Sequence, residues 1–487
     1  MASASSTSGR DPALACLVLA SLALALLRFF RLGEFGLWFD EALTLSDAFH
    51  GDAFKNPLGY RLFGTFYGLL EHRPTEAQLR LPAAVLGALS IPLAAFAFRP
   101  IAGARAAWAV SLLMGASSWH VYWSQTARFY TLSLCLCLLG TGLFLRALRR
   151  GSAPLGLAGI AVAGLSVLAH PTSMFVVLPG LGFAGLIFWR GPRALRCEQL
   201  SAPRLIQLLI GLGLLGAALA VPRAYATLLQ WQQAKGSGTP VHLILTSGFY
   251  FTPLLLAAAL YGLVHLAQRR HPALQFAAVV VITGGALGLL ASMVGRMTAQ
   301  YLFVLLPYVM LLAVAPLVHA PELLSGSPPQ NARRTPDSPT SLLSWGFLAL
   351  LVLPSLGTVG LYFTKRQAER PPWREAYTAV HDQQRPGDLV LGMAPAVGEY
   401  YLDPFAVDLR RPDRVVYLDS FRHEEPLIWD RTGRRTWYVV NFERLADWEA
   451  EKRRELMRSL REDARQVARF PLYVESRDLS VYVFLRE

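Results

Sequence analysis

Residues 12–46 read PALACLVLASLALALLRFFRLGEFGLWFDEALTLS. The first half is apolar from about 12 to 30, the length of one membrane span, which needs roughly 20 such residues. Arg28, Phe29, Phe30 and Arg31 follow it where a signal peptide would have small residues, so the run is expected to stay as a span. The second half sets two adjacent acids, Asp40 and Glu41, among Leu37, Trp38 and Phe39. Charge at the membrane edge is costly and points to function. The plainer reading is that the two acids favour a helix N-terminus.

The rest of the chain continues the pattern. Apolar runs at 81–98, 104–121, 127–147, 153–170, 172–189, 204–222, 248–267, 273–294, 299–319 and 342–363 predict, with the first, about eleven spans. Of the 487 residues 53% are hydrophobic and only 16% charged, with mean hydropathy +0.36; a soluble domain carries about 25% charged residues. The expected fold class is a polytopic α-helical membrane protein with a C-terminal soluble α/β domain, divided at 1–363 and 364–487.

The net charge of +13 would suit nucleic acid, but its distribution does not. Arg99, Arg105, Arg146, Arg149, Arg150, Arg190 and Arg193 fall in one alternate set of loops, with Arg196, Arg204, Arg269, Arg270, Arg333 and Arg334. The other short loops hold little beyond Arg128, Arg223, Lys235 and Arg296. Positive loops stay inside. The N-terminus is therefore expected in the cytoplasm and the C-terminal domain outside a plasma (inner) membrane. Cys16, Cys135, Cys137 and Cys197 form no disulfide framework and no CxxC pair.

Residues 33–80 form a long external loop with two amphipathic helical stretches, FDEALTLSDAF and YRLFGTFYGLLEH. Residues 321–341 are a Pro/Ser-rich cytoplasmic linker. Beyond 364, GDLVLGM, DRVVYLDS and RTWYVVNF read as strands. LADWEAEKRRELMRSLREDARQVARF reads as one long charged helix, and PLYVESRDLSVYVFLRE as a closing hairpin. Alternating strands and helices predict a small, largely parallel sheet.

On this topology Asp40 and Glu41, the turn at 117–133, the LAHPTSMF turn at 168–175 and GRMTAQYLF at 295–303 share the external leaflet. Each has a plainer reading as well. Arg128 could snorkel, His170 could close a helix end, Arg296 could flank a span, and Trp119, Tyr122 and Trp123 suit an aromatic belt.

The ordered blocks LWFDEALTLS, KNPLGYRLFGTFYGLLE, LRLPAAVLGALSIPL, WSQTARFYTLSL, LAHPTSMFVVLP and PPWREAYTAVHDQQRPGDLVL resemble the GT-C class of integral-membrane glycosyltransferases. Within it they are similar to the branch of protein O-mannosyltransferases and lipid A aminoarabinose transferases. The resemblance implies transfer of a sugar, with inversion, from a polyprenyl-phosphate donor to a hydroxyl of a protein, lipid-linked saccharide or envelope glycolipid. Asp40 then matches the catalytic base, since a carboxylate that takes the hydroxyl proton makes a better nucleophile. Glu41 would orient it or raise its basicity. Lys55 matches the phosphate-contacting residue, with Arg128 and Arg296 as further candidates. Tyr60, Gln125, Tyr130, His170 and Tyr301 complete the expected substrate-binding set. Three positions depart from the family: Asn56 stands for a usual Pro, Thr126 for Glu, and Gln300 for the Arg before Tyr301. No cofactor is required; a divalent ion held in part by His170 is the disfavoured option. The rival reading, a transporter or flippase of a lipid-linked molecule, would place charged groups and broken helices nearer the midplane.

Overall fold

The computed structural model describes residues 11–50, 56–70, 73–190, 204–236, 238–269, 271–318, 339–402, 415–417, 435–446, 448–475 and 477–487. Lys55 and most of the 321–341 linker lie outside them. Helix α1 (Pro12–Ala25) starts where Asp11 accepts from the Leu14 N–H at 3.3 Å and Pro12 takes the first position. Both amphipathic stretches of the first loop are helical, α2 (Phe39–His50) and α3 (Pro57–Gly68). A Thr75–Gln78 capping box opens α4 (Glu76–Ala116). Its 41 residues do not run straight, because Gly103 breaks the helix at φ 77°. The Ser111 hydroxyl donates to the Ile91 carbonyl at 2.7 Å, residues that would be about 30 Å apart in one straight helix. The two expected spans at 81–98 and 104–121 thus form a hairpin folded at a left-handed glycine.

The helices continue as α5 (Ser118–Ser124), α6 (Tyr130–Arg150), α7 (Ala153–Ala169), α8 (Met174–Arg190), α9 (Arg204–Lys235), α10 (Pro240–Tyr250), α11 (Pro253–Arg269), α12 (Pro272–Val294), α13 (Leu306–Val318) and α14 (Pro339–Thr364). Among the described residues, four helices are long and apolar enough to cross a membrane: Glu76–Ala116, Tyr130–Arg150, Pro272–Val294 and Ser344–Thr364. Shorter apolar helices lie at Pro12–Arg28, Ala153–Ala169, Pro171–Ile187 and Ala299–Val314. The run expected as one span at 248–267 is instead bent by 98° between α10 and α11. Thr252 takes φ 63° at that bend and Pro253 restarts the helix, because a residue before proline avoids the α region.

Past α14 come α15 (Trp373–His381), β1 (Leu389–Gly392), α16 (Pro395–Leu402), β2 (Val415–Tyr417), β3 (Thr436–Asn441), α17 (Phe442–Ala446) and α18 (Ala450–Asp463). They are followed by β4 (Arg465–Phe470), β5 (Tyr473–Val474), β6 (Arg477–Asp478) and β7 (Val481–Arg486). The main sheet runs β2-β1-β3-β7-β4. Strand β1 is parallel to β2 and β3, but β7 is antiparallel to both β3 and β4, so the sheet is mixed where a largely parallel one was expected. The long charged helix ends at Asp463, and RQVARF forms β4 instead. Pairing with β7 outweighs the local helical composition, and the short β4–β7 connection permits only the antiparallel arrangement. The expected closing hairpin is the small β5–β6 ladder.

One apolar core unites the spans. A second joins Leu37, Ala42 and Leu45 of the first loop, Phe63 and Tyr67 of α3, and Ala127 and Phe129 to the C-terminal sheet through Trp373, Val390, Trp437 and Phe484. The C-terminal segment is therefore packed on the loop that carries Asp40.

Candidate active site

The site is built on the first turn of α2. Trp38 is its N-cap, and the Glu41 Oε2 accepts the Trp38 N–H at 2.8 Å, half of a capping box. Glu41 is fully buried. Its carboxylate takes a fork from Arg80, Nε to Oε1 at 2.9 Å and an Nη to Oε2 at 3.0 Å. The Ala127 N–H donates to it at 2.9 Å, and Arg370 lies 3.8 Å away. Burial alone would raise its pKa. The Arg370 and Arg80 charges, with the Arg80 and Trp38 bonds, outweigh that and hold it at about 2, below the ordinary 4.5.

The two arginines extend the node. Arg80 also donates to the carbonyls of Leu32, Phe35 and Gly36 at 2.7–3.0 Å. Arg370 donates to the Thr126 hydroxyl at 2.6 Å and the Gln125 carbonyl at 3.2 Å, and stacks over Tyr122 at 4.7 Å. Arg374 reaches the Glu34 and Gly33 carbonyls at 2.8 and 3.0 Å. Sequence reasoning passed over Arg80, Arg370 and Arg374. Arg80 and Arg374 stand in the LRLP and PPWRE blocks that carried the resemblance, without being singled out there, and Arg370 immediately precedes the second block. Thr126, at the position of a missing Glu, is the acceptor for Arg370.

Asp40 differs from its neighbour. It is half-buried, and its carboxylate has no hydrogen-bond partner among the described residues. Arg128 stands beside it, donating to the Thr44 hydroxyl at 2.9 Å and the Asp40 carbonyl at 3.5 Å. Asp40 and the hydroxyls of Tyr60, Tyr130 and Tyr301 lie within electrostatic reach of its guanidinium. Tyr60 on α3 donates to Asp47 at 2.8 Å and packs edge-on against Phe129 at 4.7 Å. Tyr130 opens α6 between Trp123 at 4.2 Å and His170 at 4.6 Å. The buried Trp123 indole N–H has no partner among the described residues. Tyr301 lies in the 3₁₀ segment Ala299–Leu305.

The structure thus brings Asp40, Tyr60, Arg128, Tyr130 and Tyr301 together, with His170 behind Tyr130. The other expected residues fall elsewhere. Glu41 turns into the node and is no part of the open face. Gln125 spends its amide N–H on the carbonyls of Phe30 and Arg28 at 2.7 and 3.3 Å and accepts from Tyr362 at 3.3 Å, bracing the end of α1. His170 Nδ1 lies 2.8 Å from the Thr172 hydroxyl and accepts the Thr172 N–H, closing the turn after α7. Arg296 is exposed and within electrostatic reach of His242 on α10. Among the described residues no three His, Cys, Asp or Glu side chains are grouped to hold a metal.

By sequence, neither a family model nor a curated protein matches the chain. By structure, it is similar to ArnT from Cupriavidus metallidurans bound to undecaprenyl phosphate, with TM-score 0.53 and 17% identity over 97% of this chain and 98% of that one. It is also similar to the Archaeoglobus fulgidus oligosaccharyltransferase tethered with an acceptor peptide, with TM-score 0.54 and 13% identity over 90% of this chain and 70% of that one. AglB from the same organism, in complex with an inhibitory peptide and a dolichol-phosphate, gives TM-score 0.52 and 13% identity over 82% of this chain and 64% of that one. A further oligosaccharyltransferase structure was obtained with Zn and sulfate. At these identities the likeness is one of fold: the chain folds like ArnT and the archaeal oligosaccharyltransferase AglB.

Proposed function

We propose that this chain is a membrane glycosyltransferase that moves a sugar from a polyprenyl-phosphate carrier to a hydroxyl acceptor at the outer face of the membrane. The apolar runs would cross the bilayer, the one at 248–267 through α11 beyond its bend, with the N-terminus inside. The observation that carries the reading is the contrast between two adjacent carboxylates. Glu41 is fully bonded and fixed, while Asp40 is open and stands beside Arg128 and three phenols. That is a base next to an anion cradle. The likeness in fold to ArnT, which was solved with undecaprenyl phosphate, supports the lipid-phosphate part.

In this mechanism Asp40 takes the proton of the acceptor hydroxyl as its oxygen attacks the anomeric carbon. The bond from that carbon to the phosphate oxygen breaks on the opposite face, so configuration inverts. The leaving phosphate gathers negative charge, which Arg128 stabilises with the hydroxyls of Tyr60, Tyr130 and Tyr301. Lys55, just before α3, is the further phosphate contact we assign on the family resemblance. Glu41 acts through position, holding the α2 turn against α4 and Arg370.

The test is transfer from a synthetic polyprenyl-phosphate sugar by purified protein. Asp40→Asn keeps the side-chain shape but takes no proton at neutral pH. It should lower turnover about 10²–10⁴-fold while donor binding persists. Near-normal turnover would overturn the base assignment.

A further inference from the structure

The charged segment after Leu445 has no part in the transfer chemistry above. In the structure α18 turns Leu456 and Leu460 into the core. The neighbouring stripe, with Arg453 and Arg454, then Met457 and Arg458, then Arg461, recurs every three to four residues and lines a groove of about 700 Å³. Phe442 and Leu445 of α17 supply an apolar floor, and two acids, Glu462 and Asp478, line the groove beside the four arginines.

Several arginines elsewhere in this part of the chain meet acids, while Arg444 and Arg469 meet a carbonyl and aromatic side chains instead. Arg435 meets Asp388 at 2.9 Å, Arg477 meets Glu443 at 2.8 Å and Arg374 meets Glu76 at 2.7 Å. None of Arg453, Arg454, Arg458 and Arg461 makes an ion pair among the described residues; on α18 the ion pair is Lys452 with Glu449. Arg453 is half-buried even so. Helix α17 links the two regions: Phe442 and Leu445 line the groove, while its Arg444, outside the lining, lies with its guanidinium 4.0 Å over the ring of Phe39 in the Asp40 loop.

The geometry points to a binding site for an acidic saccharide, a sugar chain bearing carboxylate or phosphate groups, presented toward Asp40 as part of the acceptor. The inference deepens the sugar-transfer reading and rests on it for the ligand's role as acceptor. Guanidinium forks match carboxylate and phosphate oxygens two at a time. An apolar floor suits the C–H face of a sugar ring. The volume is that of a discrete ligand site, about 300–1,000 Å³. A membrane-surface helix would bury a large apolar face beneath its basic one, whereas α18 has committed Leu456 and Leu460 to the sheet.

The experiment titrates trigalacturonate, and neutral maltotriose as control, into full-length protein in phosphatidylcholine nanodiscs. Wild type should bind trigalacturonate saturably and maltotriose far more weakly. R454E/R458E, at exposed positions, should bind it at least about tenfold more weakly, and R454K/R458K should keep part of the affinity. Undecaprenyl phosphate binding should be equal in all three, which confirms an intact fold. No saturable binding by wild type, equal binding of both sugars, or an unchanged R454E/R458E would overturn the site. Displacement of trigalacturonate by phosphatidylglycerol would reassign the groove to lipid headgroups and overturn it too. Binding of trigalacturonate without sugar transfer to any hydroxyl acceptor would keep the groove as a binding site and overturn the transfer reading.

Discussion

Asp40 and Glu41 are chain neighbours with different environments because one residue of helix turns the side chain by about 100°. One carboxylate meets Arg80, the other the open face with Arg128. Glu41→Gln removes the charge that balances two buried guanidiniums. Breaking a buried pair on one side costs about 3–5 kcal/mol, so this variant should lose thermal stability and activity together, whereas Asp40→Asn should lose activity alone. Differential scanning fluorimetry beside the transfer assay checks this. The pH dependence has a definite sign. The folded-state pKa of Glu41 lies below its ordinary 4.5, at about 2. Its contribution to stability is therefore complete above about pH 4.5 and lost as pH falls toward 2. The difference in melting temperature between wild type and Glu41→Gln should narrow over that window; a constant difference would count against the node. Arg128→Leu should weaken polyprenyl-phosphate binding by about tenfold or more, since one charge-assisted bond is worth about 1.5–3 kcal/mol. Unchanged donor affinity would pass the phosphate role to Lys55.

At the scale of elements, close helix approach depends on a few small residues. Gly151, at φ 63°, ends α6, and the chain reverses at once into α7. The two then meet at Gly140 and Gly159. A Cβ on Gly159 would lie 2.9 Å from the Phe144 backbone nitrogen, and small residues at such crossings let helices approach in membranes. Gly159→Val should force α6 and α7 apart, cost roughly 1–3 kcal/mol and lower the yield of folded protein by size-exclusion profile. Arg28 works in the same register. Buried, it donates to the carbonyls of Met114 and Gly115 at 2.8 and 2.7 Å and bonds His120 Nδ1 at 2.8 Å, while Ser90 meets Nε2 at 2.8 Å. A cation at a helix C-terminus satisfies carbonyls that have no partner in the helix. It ties the end of α1 to the hairpin of α4.

Across the whole molecule, the C-terminal sheet and the first loop share one core, and Arg370 and Arg374 cross from one to the other. A chain ended after Thr364 would expose Leu37, Phe63 and Tyr67 and strip Glu41 of Arg370. It should fail to accumulate as a monodisperse species, measured by fluorescence-detected size exclusion. The arginine asymmetry of the loops predicts the orientation. A reporter fused after Glu487 should register outside the cytoplasm, and one within residues 325–340 inside it. Both on one side would make the span count wrong.

Apolar run length alone pointed to a membrane chain and to where most of its helices lie, because a span is a local property of about 20 residues; the 98° bend within 248–267 left no mark in it. The first-loop helices were legible for the same reason, as amphipathic periodicity in FDEALTLSDAF and YRLFGTFYGLLEH. Topology put the stretches that carry Asp40, Arg128, Tyr130 and Tyr301 on one leaflet, but it did not separate them from Gln125, His170 and Arg296, and Tyr60 was expected on the resemblance alone. Tertiary structure alone decided the rest. It turned Glu41 and Gln125 into internal braces, since their partners, Arg80, Arg370 and the carbonyls of Arg28 and Phe30, lie from 39 to more than 300 residues away. It also converted RQVARF from the tail of a helix into a strand, because β7 offers hydrogen bonds that no local pattern records. Hydrogen-bond partnership between distant segments is set by packing, and a one-dimensional pattern carries only the part of it that repeats along the chain.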